Sequence, residues 1–188
     1  MTLLIALTSP APAMGKSTVA ERLIKAHGFH LLKFAAPLKD MIRIMLQRHC
    51  GIHEAMVERY VEGDLKEVVI PELGVTGRHL MVTLGTEWGR DQVRPDLWVH
   101  LVCQAVTRWR SLGRNVVIDD LRFVNEFEMV QALGGEPVRV VRPGVIKPSG
   151  HHSEGALDGH CMRSIHNRGT IDDLHLDVDR LVSALSAA

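Results

Sequence analysis

Cysteine is scarce in this chain and does not pair. Cys50, Cys103 and Cys161 are the only three among 188 residues, at unrelated spacings. A disulfide framework is therefore excluded as the organising device, and reduced thiols of a cytosolic protein are expected. Net charge is absent too: 22 basic and 22 acidic side chains cancel. A duplex-binding protein usually carries a basic excess, so nucleic acid is not an expected partner, although a local basic pocket remains compatible with the balance. Long hydrophobic runs are missing. The apolar stretch near the N-terminus is too short to span a membrane and has no basic segment before it, so neither a membrane partner nor a secretory leader is expected. Internal repeats and low-complexity segments are also lacking. What is there is ordinary: 46% hydrophobic and 23% charged residues, in a length that suits one domain with a substantial core.

The most informative stretch is TLLIALTSPAPAMGKSTVA, residues 2–20. Thr2 to Leu7 reads as a buried strand. Two prolines then stop it, and Gly15-Lys16-Ser17-Thr18 opens an amphipathic helix with Val19, Ala20, Leu23 and Ile24 on one face. Strand, tight loop and helix start make an anion site, because free backbone N–H groups and the positive end of the helix dipole converge. Lys16 adds a mobile positive charge and Ser17 offers a hydroxyl to Mg²⁺. The loop is not a full phosphate-binding consensus. Pro10 stands where glycine is usual, Pro10 and Pro12 have no N–H to donate, and Ala13 costs roughly 1 kcal/mol if its position requires positive φ. The N–H groups of Ala13, Met14, Gly15, Lys16, Ser17 and Thr18 stay available to a phosphate. The plainer alternative is a common helix start with Gly and Ser near its cap.

Further along, Gly28 ends the first helix, and 29–34 reads as a second strand. Pro37 starts a helix carrying Leu38, Met41, Ile42 and Met45 at helical spacing. Residues 51–75 are the least regular, with a short helix near 53–60 and then a loop: either a cover over a ligand or a surface excursion. Thr76 caps a helix running to Gln92, in which Gly85 and Gly89 would allow close approach of a ligand. Arg78, Arg90 and Arg94 bracket it as candidate phosphate ligands or solvated charges. Pro95 or Asp96 opens the next helix, to about residue 111. The apolar strand 115–118 ends in Asp119-Asp120, the usual carboxylate partner of a phosphate loop, reaching Mg²⁺ directly or through water. A helix to Leu133, a strand Pro137–Val141, a loop rich in Gly, Pro and His, a short strand near 163–167 and a closing helix capped by Thr170 complete the order. The histidines at 151–175 have no metal-ligand spacing.

Strands alternating with helices imply an α/β three-layer sandwich, a central parallel sheet of about five strands covered on both faces. Ligands belong at the C-terminal strand ends, where the glycine-lysine loop, Phe34, Asp120 and Arg142 all fall.

Eight segments, taken together in order, carry a resemblance over nearly the whole chain. They are SPAPAMGKST, FAAPLK at 34–39, LGTEWGRD at 84–91, RPDLWV at 94–99, DLRFVNE at 120–126, LGGEPVRVVRPG at 133–144, HHSE at 151–154 and IHNRGTIDDL at 165–174. The chain resembles the deoxynucleoside monophosphate kinases of tailed bacteriophages, within the P-loop nucleoside monophosphate kinase superfamily. It departs from them in the loop itself, where Pro10, Pro12 and Ala13 replace a more glycine-rich sequence. The resemblance implies one P-loop kinase domain over 1–188, with an acceptor-binding helical insertion at about 37–111 and a lid at about 143–159. It implies transfer of the γ-phosphate of ATP to a deoxynucleoside 5′-monophosphate with Mg²⁺, in deoxynucleotide biosynthesis, within the host cytoplasm if phage-encoded. Lys16 would hold the β,γ-phosphates, Ser17 and Asp120 the Mg²⁺, and Arg142 the ATP under the lid. Arg122 would bridge donor and acceptor phosphates, or alternatively pair with Glu126. Phe34, Lys39, Arg90, Trp98, Asp120 and Glu126 would lie at the acceptor, with Trp98 either stacking on it or filling the core. Three other readings are a P-loop kinase for another small acceptor such as dephospho-coenzyme A, a non-catalytic nucleotide-binding module, and a DNA-directed ATPase. Neutral charge and small size disfavour the last. An apolar helix face serves a core or a homodimer equally, and the sequence does not select between them.

Overall fold

The structure, a computed structural model, describes residues 2–144 and 156–187. Most of the expected lid, 145–155 with the HHSE segment, lies outside the described residues. In chain order the elements are β1 (Leu4–Thr8), α1 (Lys16–His27), β2 (His30–Leu32), α2 (Ala36–Ile44), α3 (Glu54–Val61), β3 (Val69–Ile70), β4 (Val75–Thr76), α4 (Gly77–Val82), α5 (Leu97–Ser111), β5 (Val116–Ile118), α6 (Val124–Ala132), β6 (Glu136–Val141), β7 (Arg163–His166) and α7 (Ile171–Ser186). The chain divides into two compact units, Met1–Phe34 with Val102–Ala188, and Ala35–Leu101.

The first unit is built on a five-stranded sheet in the order β2-β5-β1-β6-β7, every neighbouring pair parallel. This is the parallel sheet that the alternating pattern predicts. β1 and β5 are buried along their whole length, as central strands covered on both faces must be. Side chains alternate across the sheet. Ile5, Leu7, Val117, Val138, Val140 and Ile165 form one core with Val19 and Leu23 of α1 and Leu174 and Val178 of α7. On the other face, α6 lies against β1 and β6. Gly135 is required there: a Cβ would come within 2.7 Å of the Leu4 side chain and 2.9 Å of Val130.

Helix ends follow local chemistry. Gly28, at φ 67°, closes α1 in the left-handed conformation that glycine adopts without cost. Thr170 and Asp173 make a reciprocal cap on α7: Thr170 Oγ1 accepts from the Asp173 N–H at 3.2 Å, and the Thr170 N–H donates to Asp173 Oδ2 at 2.9 Å. α1 and α7 are joined by Arg22, whose Nε and Nη2 donate to the two Asp179 oxygens at 3.0 and 2.7 Å. His27 Nε2 lies 2.7 Å from the same carboxylate.

The second unit is helical, around Leu38, Ile42, Leu46, Val57, Tyr60, Val61, Ile70 and Trp98. Two of its helices open into wider π turns. α2 continues this way over Met45–His49, with the Cys50 N–H donating to the Met45 carbonyl at 3.2 Å. Thr76 caps α4 as the sequence suggests, accepting from the His79 N–H at 3.0 Å. The helix expected to run to Gln92 is present, and from Thr83 to Val93 it runs as a π-helix. β3 and β4 pair antiparallel inside the stretch read as irregular. At two residues each they are too short to show a period. Among the described residues no helix is long and apolar enough to cross a membrane.

Candidate active site

β1 delivers the chain into the loop 9–15 at the C-terminal edge of the sheet. Ser9 Oγ turns back onto the Ala11 carbonyl at 2.8 Å, and the Ala11 and Met14 side chains are buried. Ala13 has φ 59°, the only positive φ at a non-glycine among the described residues. The suspected strain at this position is therefore present, at a cost of roughly 1–2 kcal/mol. Gly15 follows at φ 102° as the N-cap of α1, with no side chain bonded to the cap and no acidic residue in the first turn. The first turn of the helix itself thus carries no acid, and Lys16 and Ser17 come immediately after Gly15. Lys16 is half-buried and Ser17 exposed. The arrangement suits a phosphate, which the helix dipole and N–H groups attract.

Neighbouring strands bring three further groups to this edge. After β5 the chain stays beside β1, with the Leu121 N–H donating to the Leu7 carbonyl at 3.2 Å. Asp120 Oδ1 accepts the Phe34 N–H at 2.8 Å, which fixes the end of β2 to the end of β5. Asp119 faces differently: Oδ2 lies 3.3 Å from Lys33 Nζ, whereas Oδ1 is buried without a hydrogen-bond partner. A buried carboxylate oxygen left unpaired is costly. Asp120, the acid expected to assist Mg²⁺, thus has one oxygen on the Phe34 N–H, and Asp119 is a second carboxylate at the same strand end. Ser17 and these two carboxylates are hard oxygen donors of the kind Mg²⁺ takes, and one or two such ligands would suffice where phosphates provide the rest.

Arg122 is exposed, and its guanidinium makes no ion pair among the described residues. The pairing with Glu126 exists in another form. Glu126 Oε2 accepts the backbone N–H groups of Arg122 and Phe123 at 2.8 and 3.1 Å, capping α6. Glu126 is 2% exposed, so it holds the Arg122 backbone while the guanidinium reaches outward.

Arg142 follows β6, exposed, with its N–H 3.3 Å from Met14 Sδ. Beside it an open cavity of about 410 Å³ is lined by Arg142, Pro143, Asn167, Arg168 and Gly169. Asn167 and Arg168 were not singled out from the sequence as site residues. The signal was available, since they directly follow β7, and the C-terminal ends of parallel strands are where ligands bind. Lys33, beside the Asp119 carboxylate at the end of β2, is a further residue that the sequence did not single out.

Lys39, Arg90 and Trp98 belong to the helical unit. Lys39 Nζ is 2.7 Å from Glu62 Oε1. Arg90 is half-buried on the π-helical turn. Arg78 and Arg94 are paired with Glu67 and Asp96 at 2.7 and 2.6 Å, so neither offers a free guanidinium. Trp98 is 3% exposed and donates its indole N–H to the Gly85 carbonyl at 2.8 Å. The close approach that Gly89 permits is that of Trp98, not of a ligand: a Cβ there would sit 2.6 Å from the indole Cζ2.

A central parallel sheet with a glycine-lysine loop between its middle strand and first helix defines a P-loop kinase fold. Solved structures agree on the fold. The structure of TT1252 from Thermus thermophilus matches with a TM-score of 0.52 at 19% identity, over 98% of each chain. Dephospho-CoA kinase from Campylobacter jejuni matches with a TM-score of 0.53 at 14% identity, over 100% of this chain and 98% of that one. Within that class the family pattern for deoxynucleotide monophosphate kinase matches residues 52–178. The chain belongs to the deoxynucleotide monophosphate kinase family. A protein of Acanthamoeba polyphaga mimivirus, described as a candidate deoxynucleotide monophosphate kinase, is 29% identical over 155 residues, 76% of each chain.

Proposed function

We propose that this chain transfers the γ-phosphate of ATP to a deoxynucleoside 5′-monophosphate. The bond between the γ-phosphorus and the β,γ-bridging oxygen breaks. An acceptor phosphate oxygen bonds to that phosphorus, and ADP and a deoxynucleoside diphosphate leave. Besides family membership, the observation that carries this reading is the uncapped start of α1, with Lys16 on it and no acid in its first turn. Phosphoryl transfer needs positioning and charge neutralisation rather than covalent participation by the protein.

In this reading the N–H groups of Ala13 to Thr18 cradle the donor phosphates, and Lys16 offsets their charge. The cavity beside Arg142 takes the rest of ATP. Mg²⁺, held by the Ser17 hydroxyl and the β5 carboxylates, would screen the phosphate charge. Arg122, exposed and without an ion-pair partner among the described residues, is the group able to bridge donor and acceptor phosphates. Lys39 and Arg90 serve the acceptor. Phe34, Trp98 and Glu126 act by holding their surroundings, since all three are buried.

The test is an acceptor panel. Purified protein with ATP and Mg²⁺ is offered dAMP, dCMP, dGMP, dTMP and dephospho-coenzyme A, and products are separated by chromatography. Diphosphate from one or more deoxynucleotides is the expected result. Phosphorylation of dephospho-coenzyme A alone, or of nothing, contradicts the proposal.

A further inference from the structure

Glycine-poor phosphate loops need something else to set their peptide planes. Here a side chain from the far end of the chain touches the loop at its critical bond. Asn167 Nδ2 donates to the Met14 carbonyl at 3.1 Å. Asn167 is itself fixed, because its N–H donates to the Val141 carbonyl at 2.8 Å, extending the β6–β7 pairing. Gly15 makes room for this amide: a Cβ on Gly15 would lie 2.7 Å from Asn167 Nδ2, at a φ of 102° that is itself unfavourable for any other residue. The Met14 side chain is 3% exposed, and its sulfur lies 3.3 Å from the Arg142 N–H.

We infer that Asn167 is a positioning residue of the phosphate loop: by holding the Met14 carbonyl it orients the Met14–Gly15 peptide so that the Gly15 N–H faces the donor phosphate. The physical step is short. In a planar trans peptide the C=O and the following N–H point in opposite directions. A donor that draws Met14 O to one side directs Gly15 N–H to the other. The two prolines cannot contribute N–H groups, so correct aim of the remaining ones matters more than in a glycine-rich loop. Asn167 also lines the cavity with Arg142 and Arg168, so the loop and that cavity share one side chain. This inference rests on the phosphate-binding reading of residues 13–18.

The test compares two ligands by calorimetry, ATP and inorganic tripolyphosphate, which has no base or sugar. Asn167→Ala and the isosteric Asn167→Asp remove the donor. Both should weaken tripolyphosphate and ATP alike, by about tenfold, as loss of one oriented hydrogen bond implies. A loss confined to ATP would make Asn167 a wall of the cavity only and overturn the inference. Unchanged binding of both ligands would overturn it as well. If the unsubstituted protein binds neither ligand, the phosphate reading itself fails, a result distinct from the other two. A measurement without substitutions guards against variants that do not fold. In ¹⁵N-labelled protein the Gly15 amide proton should shift downfield on adding tripolyphosphate, and an unmoved Gly15 resonance overturns the inference.

Discussion

Trp98 donates its indole N–H to the carbonyl of Gly85, 2.8 Å away, while its ring covers Gly89 one turn further along the same π-helix. The two glycines thus seat one buried aromatic residue. Four residues apart on a helix, both glycines lie on the side that Trp98 covers. Adding one methyl group at Gly89 would force the ring or the helix to move. Gly89→Ala should cost about 1–3 kcal/mol, the usual penalty of overpacking, and lower Tm by several degrees. Thermal unfolding checks it. An unchanged Tm would mean that the indole is free to move aside.

Between α1 and α7, Asp179 carries a pH dependence. Hydrogen bonds first from Arg22 and then from His27 hold its carboxyl far below the ordinary carboxylate range. A carboxyl depressed in the folded state contributes stability that is complete above the unfolded value, about 3.9, and lost as pH falls below it. Tm should therefore drop on acidification below about pH 4 in the unsubstituted protein. Asn in place of Asp179 should lower Tm at neutral pH and flatten that acid limb. Parallel acid limbs in the two proteins would show that the Arg22–Asp179 pair does not govern it.

Arg122→Ala should depress kcat by at least tenfold while leaving acceptor KM within a few-fold, because a bridging cation acts mainly where charge develops in transfer. Steady-state kinetics with varied acceptor separates the possibilities. A pure rise in KM would reduce Arg122 to simple acceptor binding. The companion change Glu126→Gln keeps one oxygen acceptor for the Arg122 N–H, so it should affect kcat less than Glu126→Ala does.

The two adjacent acids at the end of β5 should separate by phenotype. Asp119→Asn should raise the Mg²⁺ concentration needed for half-maximal transfer and weaken the Mg²⁺ dependence of ATP binding seen by calorimetry. Asp120→Ala removes the acceptor of the Phe34 N–H and should mainly lower Tm. The reverse pattern would give the metal-directed role to Asp120.

Much of this was legible in the sequence, for identifiable reasons. Gly15, Lys16, Thr170 and Asp173 act through local geometry, so spacing alone displays the loop, the α7 cap and the five parallel strands. Other features depend on neighbours remote in sequence. Asn167 reaches Met14 across 153 positions because β7 and β1 flank β6 in the sheet. Asp119 differs from Asp120 only in what stands opposite each one, Lys33 or the Phe34 N–H. The opening of α2 and α4 into π turns leaves the hydrophobic spacing nearly unchanged, and two-residue strands such as β3 and β4 carry no period at all. Trp98 is apolar on a helix under either of its two readings, and its contacts with Gly85 and Gly89 come from packing that spacing does not display.

The most direct measurement follows the phosphate itself. ATP labelled at the γ-position is incubated with Mg²⁺, an equimolar mixture of the four deoxynucleoside monophosphates, and either the unsubstituted protein or Lys16→Ala. The label should appear in a deoxynucleoside diphosphate with the unsubstituted protein, and transfer should fall by at least a hundredfold in a folded Lys16→Ala protein. Label released only as inorganic phosphate, or near-normal transfer by Lys16→Ala, would contradict a kinase built on the loop between β1 and α1.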